Sequence, residues 1–207
     1  MRESPAFQEL KSLWEDGLGA EVTRAALSFL ALTALFSGVF LALPELRESA
    51  LDQLTNLMLS KDLFTDSGGI SFLGLFVNNL QACMFTMLYG LLPFVCFGAL
   101  PLGINAGMMG LMAAHAIATG QVLPFLVGIL PHGIVELPAM VLSIGMALYV
   151  CGHMTRRCRK DKTARSFLDC LAVISRFLFL LLVPMLVVAA MIEAWVTPAL
   201  LTLIQSF

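Results

Sequence analysis

The stretch Pro131-His132-Gly133-Ile134-Val135-Glu136-Leu137-Pro138 decides how this chain is read. Glu136 ends a run of 69 residues, Ser67 through Val135, that contains no Asp, Glu, Lys or Arg. A membrane-crossing helix takes about 20 apolar residues, so a run of this length is several spans and not one soluble core. A carboxylate inside it costs at least roughly 2.5–3.5 kcal/mol unless it faces protein or an aqueous cavity, or takes up a proton. Pro131 and Pro138 lack amide donors, and Gly133 tolerates backbone angles that other residues avoid. The stretch therefore reads as a break or tight turn near Pro131–Gly133, with Glu136 in the first turn of the next helix. There the free amides and the positive helix end favour an acid. His132 lies four residues before Glu136. Either the two share a proton, or His132 caps a carbonyl while Glu136 hydrogen-bonds across the bundle as a structural joint.

Working outward, the composition gives the class. The chain is 59% hydrophobic and 13% charged, against about a quarter charged in soluble domains. The expected fold is all-α, a polytopic helical membrane protein. A transmembrane barrel is disfavoured because the apolar residues come in continuous blocks. The five cysteines, Cys83, Cys96, Cys151, Cys158 and Cys170, include no CxxC pair, so no disulfide framework is indicated. Residues 1–24 hold five acidic and three basic groups, the wrong pattern for a cleavable signal peptide.

On the amino-terminal side of the motif, residues 102–118 form a span. Gly103, Gly107 and Gly110 give it a small-residue face for helix packing. Asn105 and His115 are its polar residues. Before it, a span over 76–99 begins with Asn78 and Asn79 and is kinked by Pro93. The segment 45–64 repeats Leu46, Ala50, Leu54, Leu57 and Met58 at helical spacing and reads as an outer surface helix. The turn Thr65-Asp66-Ser67-Gly68-Gly69 closes it. Residues 25–44 are the first span. Residues 5–21 form an amphipathic helix that lies on the membrane surface or packs on another subunit, its net negative charge favouring the second.

On the carboxyl-terminal side, 122–152 is too long for one level span at 1.5 Å per residue. It divides into a re-entrant or broken half-helix, 122–131, and a full span, 134–152. Then come Arg156, Arg157, Arg159, Lys160, Lys162 and Arg165, six of the 12 basic residues. They place the loop 153–169 in the cytoplasm. The last span covers 171–194, and Glu193 is a second functional acid or an outer-edge residue.

The reading is thus about five spans, a broken helix and two amphipathic surface helices. Residues 1–24 make a cytoplasmic segment and 25–200 one transmembrane domain, with 44–71 as an extracytoplasmic loop. Counting from the basic loop puts the amino terminus inside and the carboxyl terminus outside, in a multi-pass protein of the plasma membrane. If 122–131 crosses, the parity changes.

Four motifs in order carry a family resemblance. They are Phe76-Val77-Asn78-Asn79-Leu80-Gln81-Ala82, Gly103-Ile104-Asn105-Ala106-Gly107, Leu130 through Pro138, and Ala189 through Pro198. Together they resemble the stage II sporulation protein M family over residues 25–200. The resemblance implies an integral membrane protein that works with protein partners. In spore formers those partners include a hydrolase and a scaffold that remodel peptidoglycan during engulfment, and relatives from organisms without spores imply a more general membrane role. It carries no catalytic residue onto this chain.

Two functions follow. The first is a non-enzymatic scaffold or assembly protein, bound to protein partners or to itself as a homo-oligomer and linked to membrane or cell-envelope remodelling. The second is a small-solute or ion transporter or channel, in which Glu136, His132, Asn78, Asn79, Asn105 and Glu193 line one polar cavity at a broken helix. An enzyme is not expected, since no nucleophile triad is visible and His132 with Glu136 lacks the HExxH spacing. No cofactor or metal is assigned, although His115, His132 and Glu136 are the residues that a metal would use. Nucleic-acid binding is unsupported, and the lipid bilayer is the surrounding partner.

Overall fold

A computed structural model describes residues 5–59, 71–197 and 199–200. Among these there is no strand, and five helices are long and apolar enough to cross a membrane. The helices are α1 (Pro5–Leu13), α2 (Gly19–Ala42), α3 (Pro44–Leu59), α4 (Phe72–Tyr89), α5 (Leu100–Thr119), α6 (Val122–Cys158), α7 (Phe167–Phe177) and α8 (Val183–Met191). Wide π turns at Trp14–Leu18, Leu178–Leu182 and Ile192–Val196 join α1 to α2 and α7 to α8, and extend α8. The expected turn 65–69, Pro198 and residues 201–207 lie outside the described residues.

Local chemistry sets the ends. Gly120 takes a left-handed conformation (φ 72°) that closes α5, with Gln121 N–H donating to Ala116 O at 2.8 Å. Ser166 and Asp169 cap the start of α7 reciprocally, each side chain accepting the other's backbone N–H. Helix α4 stops at Tyr89, ten residues short of the expected end. Gly90 N–H bonds Met87 O at 3.0 Å and the chain turns away. Pro93 therefore lies in a connection and kinks no span, and the route to α5 runs through a 3₁₀ turn, Phe97–Ala99.

The largest departure from the sequence reading is at the opening motif. Helix α6 runs unbroken for 37 residues, Val122–Cys158, through Pro131, Gly133 and Pro138. There is no re-entrant half-helix and no break. Proline removes one donor and crowds one turn, and neighbouring helices compensate for that loss inside membranes.

Helix α6 is the axis of the bundle, packed by α2, α4, α5, α7 and α8. One core layer joins Met146 and Val150 of α6 to Met87, Ile174, Phe177 and Leu186. A second joins Ile144 to Ala25, Phe29, Leu102 and Ala106. Of the glycines expected to mediate packing, Gly110 does so: a β-carbon there would lie 2.7 Å from Phe36 and 2.9 Å from the backbone of Ser37. Gly107 only touches Phe36 at ordinary distance, and Gly103 faces open space, which corrects its assignment to a helix interface. Gly145, unremarked in the sequence, lets α6 meet Val22 of α2.

The amino-terminal helix folds onto its own bundle. Leu13 and Leu18 are buried among α6 and α7, and Gly17 supplies the positive φ (115°) at the bend. Asp16 Oδ2 accepts from Tyr149 Oη (2.6 Å) and Arg165 Nη2 (3.0 Å), and Glu9 pairs with Arg176. The amino-terminal segment and the basic connection 159–166 thus share one end of the bundle. Large exposed apolar side chains such as Leu27, Leu30, Phe85, Ile104, Ile134 and Phe179 cover the outside, as hydrocarbon contact requires.

Candidate functional site

At the end of the bundle away from the basic connection, five elements enclose a cavity of about 420 Å³. Helix α4 contributes Asn78 and Asn79, α5 contributes Asn105 and three methionines, and α6 contributes Gly133 and Glu136. Glu193 enters from the turn after α8, and Leu54 and Leu57 of α3 form part of the wall. Asn78 Nδ2 donates to Asn79 Oδ1 at 3.2 Å, and Asn105 Nδ2 donates to Pro101 O at 2.8 Å. The Asn79 carboxamide faces the Glu136 carboxyl, and the Glu193 carboxyl acts on it from across the space. Among the described residues, two carboxyls and three carboxamides line this space, with no Lys or Arg. The volume falls within the roughly 300–1,000 Å³ of small-molecule sites.

The cavity continues inward. A smaller space, about 50 Å³, shares Asn79, Asn105 and Glu136 and adds Cys83, Thr86 and Ser143. Thr86 is seven residues after Asn79 and Ser143 seven after Glu136, which puts each two turns further along the same helix face. Thr86 Oγ1 donates to Ala82 O (2.7 Å) and Ser143 Oγ to Met140 O (2.7 Å). One step further, Ala147 closes the way. Gly90 and Gly98 press on it so closely that a β-carbon on either would collide with Ala147. Beyond this layer a cavity of about 590 Å³ opens at the basic end, lined by Tyr149, Cys151, Thr155, Arg156 and others. Residues 129, 133, 136, 140, 143, 147, 151 and 155 lie three or four apart. One face of α6 therefore runs past all three spaces and the closure between them.

The structure brings together Asn78, Asn79, Asn105, Glu136 and Glu193, and gathers them without a helix break. The side chains of Pro131 and His132 lie outside the described ones. His115 is not part of the cavity lining, and its Nδ1 is buried without a hydrogen-bond partner among the described residues. No group of three His, Cys, Asp or Glu able to hold a metal occurs among the described residues. Arg157, Arg159, Lys160 and Lys162 are exposed at the basic end. Arg165 also joins the Asp16–Tyr149 network, and Arg156 Nη2 lies 3.1 Å from His153 Nε2. Thr86, Ser143 and the Gly90–Ala147–Gly98 closure were not singled out from sequence. The seven-residue offsets were the signal for the first two.

Residues 25–198 match the family model for stage II sporulation protein M, a segment that contains every residue lining the acidic cavity. No curated protein and no solved structure matches the chain.

Proposed function

The chain belongs to the stage II sporulation protein M family and is a multi-pass membrane protein, and from that premise we propose that it binds a small cationic solute or ion and passes it along the α6 face. The observation that carries this reading is the composition of the cavity: Glu136 and Glu193 with Asn78, Asn79 and Asn105, and no Lys or Arg among the described residues that line it. An intramembrane acid turned to a cavity marks ion and substrate pathways. Carboxyl and carboxamide oxygens suit a cation. The closure at Ala147 bars the acidic cavity from the basic end, and a carrier needs such a barrier in order to avoid a leak. The role is non-enzymatic, and the basic connection and the amino terminus lie on the cytoplasmic side.

A second reading is a membrane assembly scaffold that positions protein partners or forms a homo-oligomer. It draws on the family and on the apolar face of α2, where Leu27, Leu30 and Leu35 are exposed. One variant separates the two. Glu136→Gln keeps shape and removes charge, so cation flux into proteoliposomes falls by about tenfold or more, as expected for loss of one charge-assisted contact. Full flux in a folded Glu136→Gln protein overturns the transport reading. No flux in the unsubstituted protein, with a partner or second copy retained on purification, favours the scaffold.

A further inference from the structure

The cavity at the basic end has a different chemistry from the acidic one. Both of its carboxylates are already paired: Asp16 with Arg165 and Tyr149, and Glu21 with Arg24 at 2.5 Å. Two guanidinium groups on its wall, Arg156 in the last turn of α6 and Arg159 just past its end, are both exposed. Beside them the Thr155 side chain bonds that of Cys151, and its Oγ1 also accepts the Phe94 N–H at 2.9 Å. That bond also holds Phe94 at a positive φ of 65° with 60% of its surface exposed, so an aromatic ring stands open beside the arginines. Leu148 completes an apolar wall. The level is that of the end of the Gly133–Cys158 span, where hydrocarbon gives way to headgroups.

We propose that this cavity binds the phosphate of an anionic phospholipid headgroup. Arg156 and Arg159 hold the phosphate oxygens, and Phe94 and Leu148 receive the upper part of an acyl chain. Guanidinium forks match phosphate oxygens bidentately, and basic pockets between spans are headgroup sites. The apolar wall is what selects a lipid over a free phosphate ion. The assignment does not depend on the transport reading, because the closure at Ala147 separates the two cavities.

The test uses the full chain in detergent, with thermal unfolding followed against added short-chain phosphatidylglycerol, phosphatidylcholine or inorganic phosphate. Phosphatidylglycerol is expected to stabilise it. Arg156→Gln with Arg159→Gln weakens the apparent affinity by about tenfold or more. Arg157→Gln with Lys160→Gln removes the same charge from outside the cavity and changes it by less than about twofold. Phe94→Ala weakens the lipid response and tests the site without touching charge. Equal loss in the two charge-matched pairs means diffuse attraction and overturns the proposal, as does an unchanged response in Phe94→Ala. Stabilisation by inorganic phosphate equal to that by the lipid assigns the site to the free anion instead, and no response to phosphatidylglycerol removes it altogether.

Discussion

Glu136 owes its place to its neighbours more than to its own helix. Asn79, two helices away in the chain, supplies the polar group that the carboxyl meets inside the bundle. Removing that group leaves a buried acid short of a partner, which costs about 1–3 kcal/mol. Asn79→Leu is therefore expected to lower stability by that amount in the unsubstituted protein and by clearly less in a Glu136→Gln background. Denaturant unfolding of the four proteins of this cycle measures the difference, and additive effects would mean that the two side chains do not interact. The amide pair and the acid were legible in the sequence as polar exceptions in apolar spans. Thr86 and Ser143, which line the same inner space, were harder to see, because hydroxyls that bond back to their own helix are ordinary in such spans.

Helix α6 shows why elements are read less securely than residues. Pro131, Gly133 and Pro138 each weaken a helix locally, and a sequence argument sums those local effects into a break. The bundle outweighs them with packing on several sides. Glycine spacing misleads for a related reason. Gly103, Gly107 and Gly110 look alike in sequence, yet only Gly110 meets a backbone. Gly90 and Gly98, which close the path against Ala147, stand in or beside a connection that was read as the end of a span. The contrast is measurable. Gly90→Val must push α6 away and is expected to cost about 1–3 kcal/mol. Gly103→Ala, in open space within a helix, is expected to stabilise by up to about 1 kcal/mol. Thermal unfolding in one detergent compares them, and a Gly90→Val protein as stable as the parent would mean that the layer is not tightly closed.

For the whole molecule, hydropathy gave the class and the number of crossings, because twenty apolar residues in a row have few other uses. It could not give the joining of the amino-terminal segment to the basic connection. Asp16 and Arg165 are 149 residues apart, and each reads as an ordinary surface charge until Tyr149 lies between them. That contact fixes both segments at one end, and our assignment of that end to the cytoplasm is open to direct labelling. Cys158 is exposed there, and Cys96→Ser removes the other exposed thiol among the five. In intact cells a membrane-impermeant maleimide is expected to spare Cys158 and to react only after lysis. Labelling before lysis would invert the whole arrangement.

The unbroken α6 carries one more consequence. At 1.5 Å per residue its 37 residues extend about 55 Å, while the oily interior of a bilayer is about 30 Å deep. So long a rod must lean, or project its first turns past the lipid, where Leu123, Leu126 and Leu130 offer greasy surface to whatever is there. Membrane thickness then bears directly on the helix whose face borders all three cavities, and acyl-chain length is a variable against which their opening can be measured.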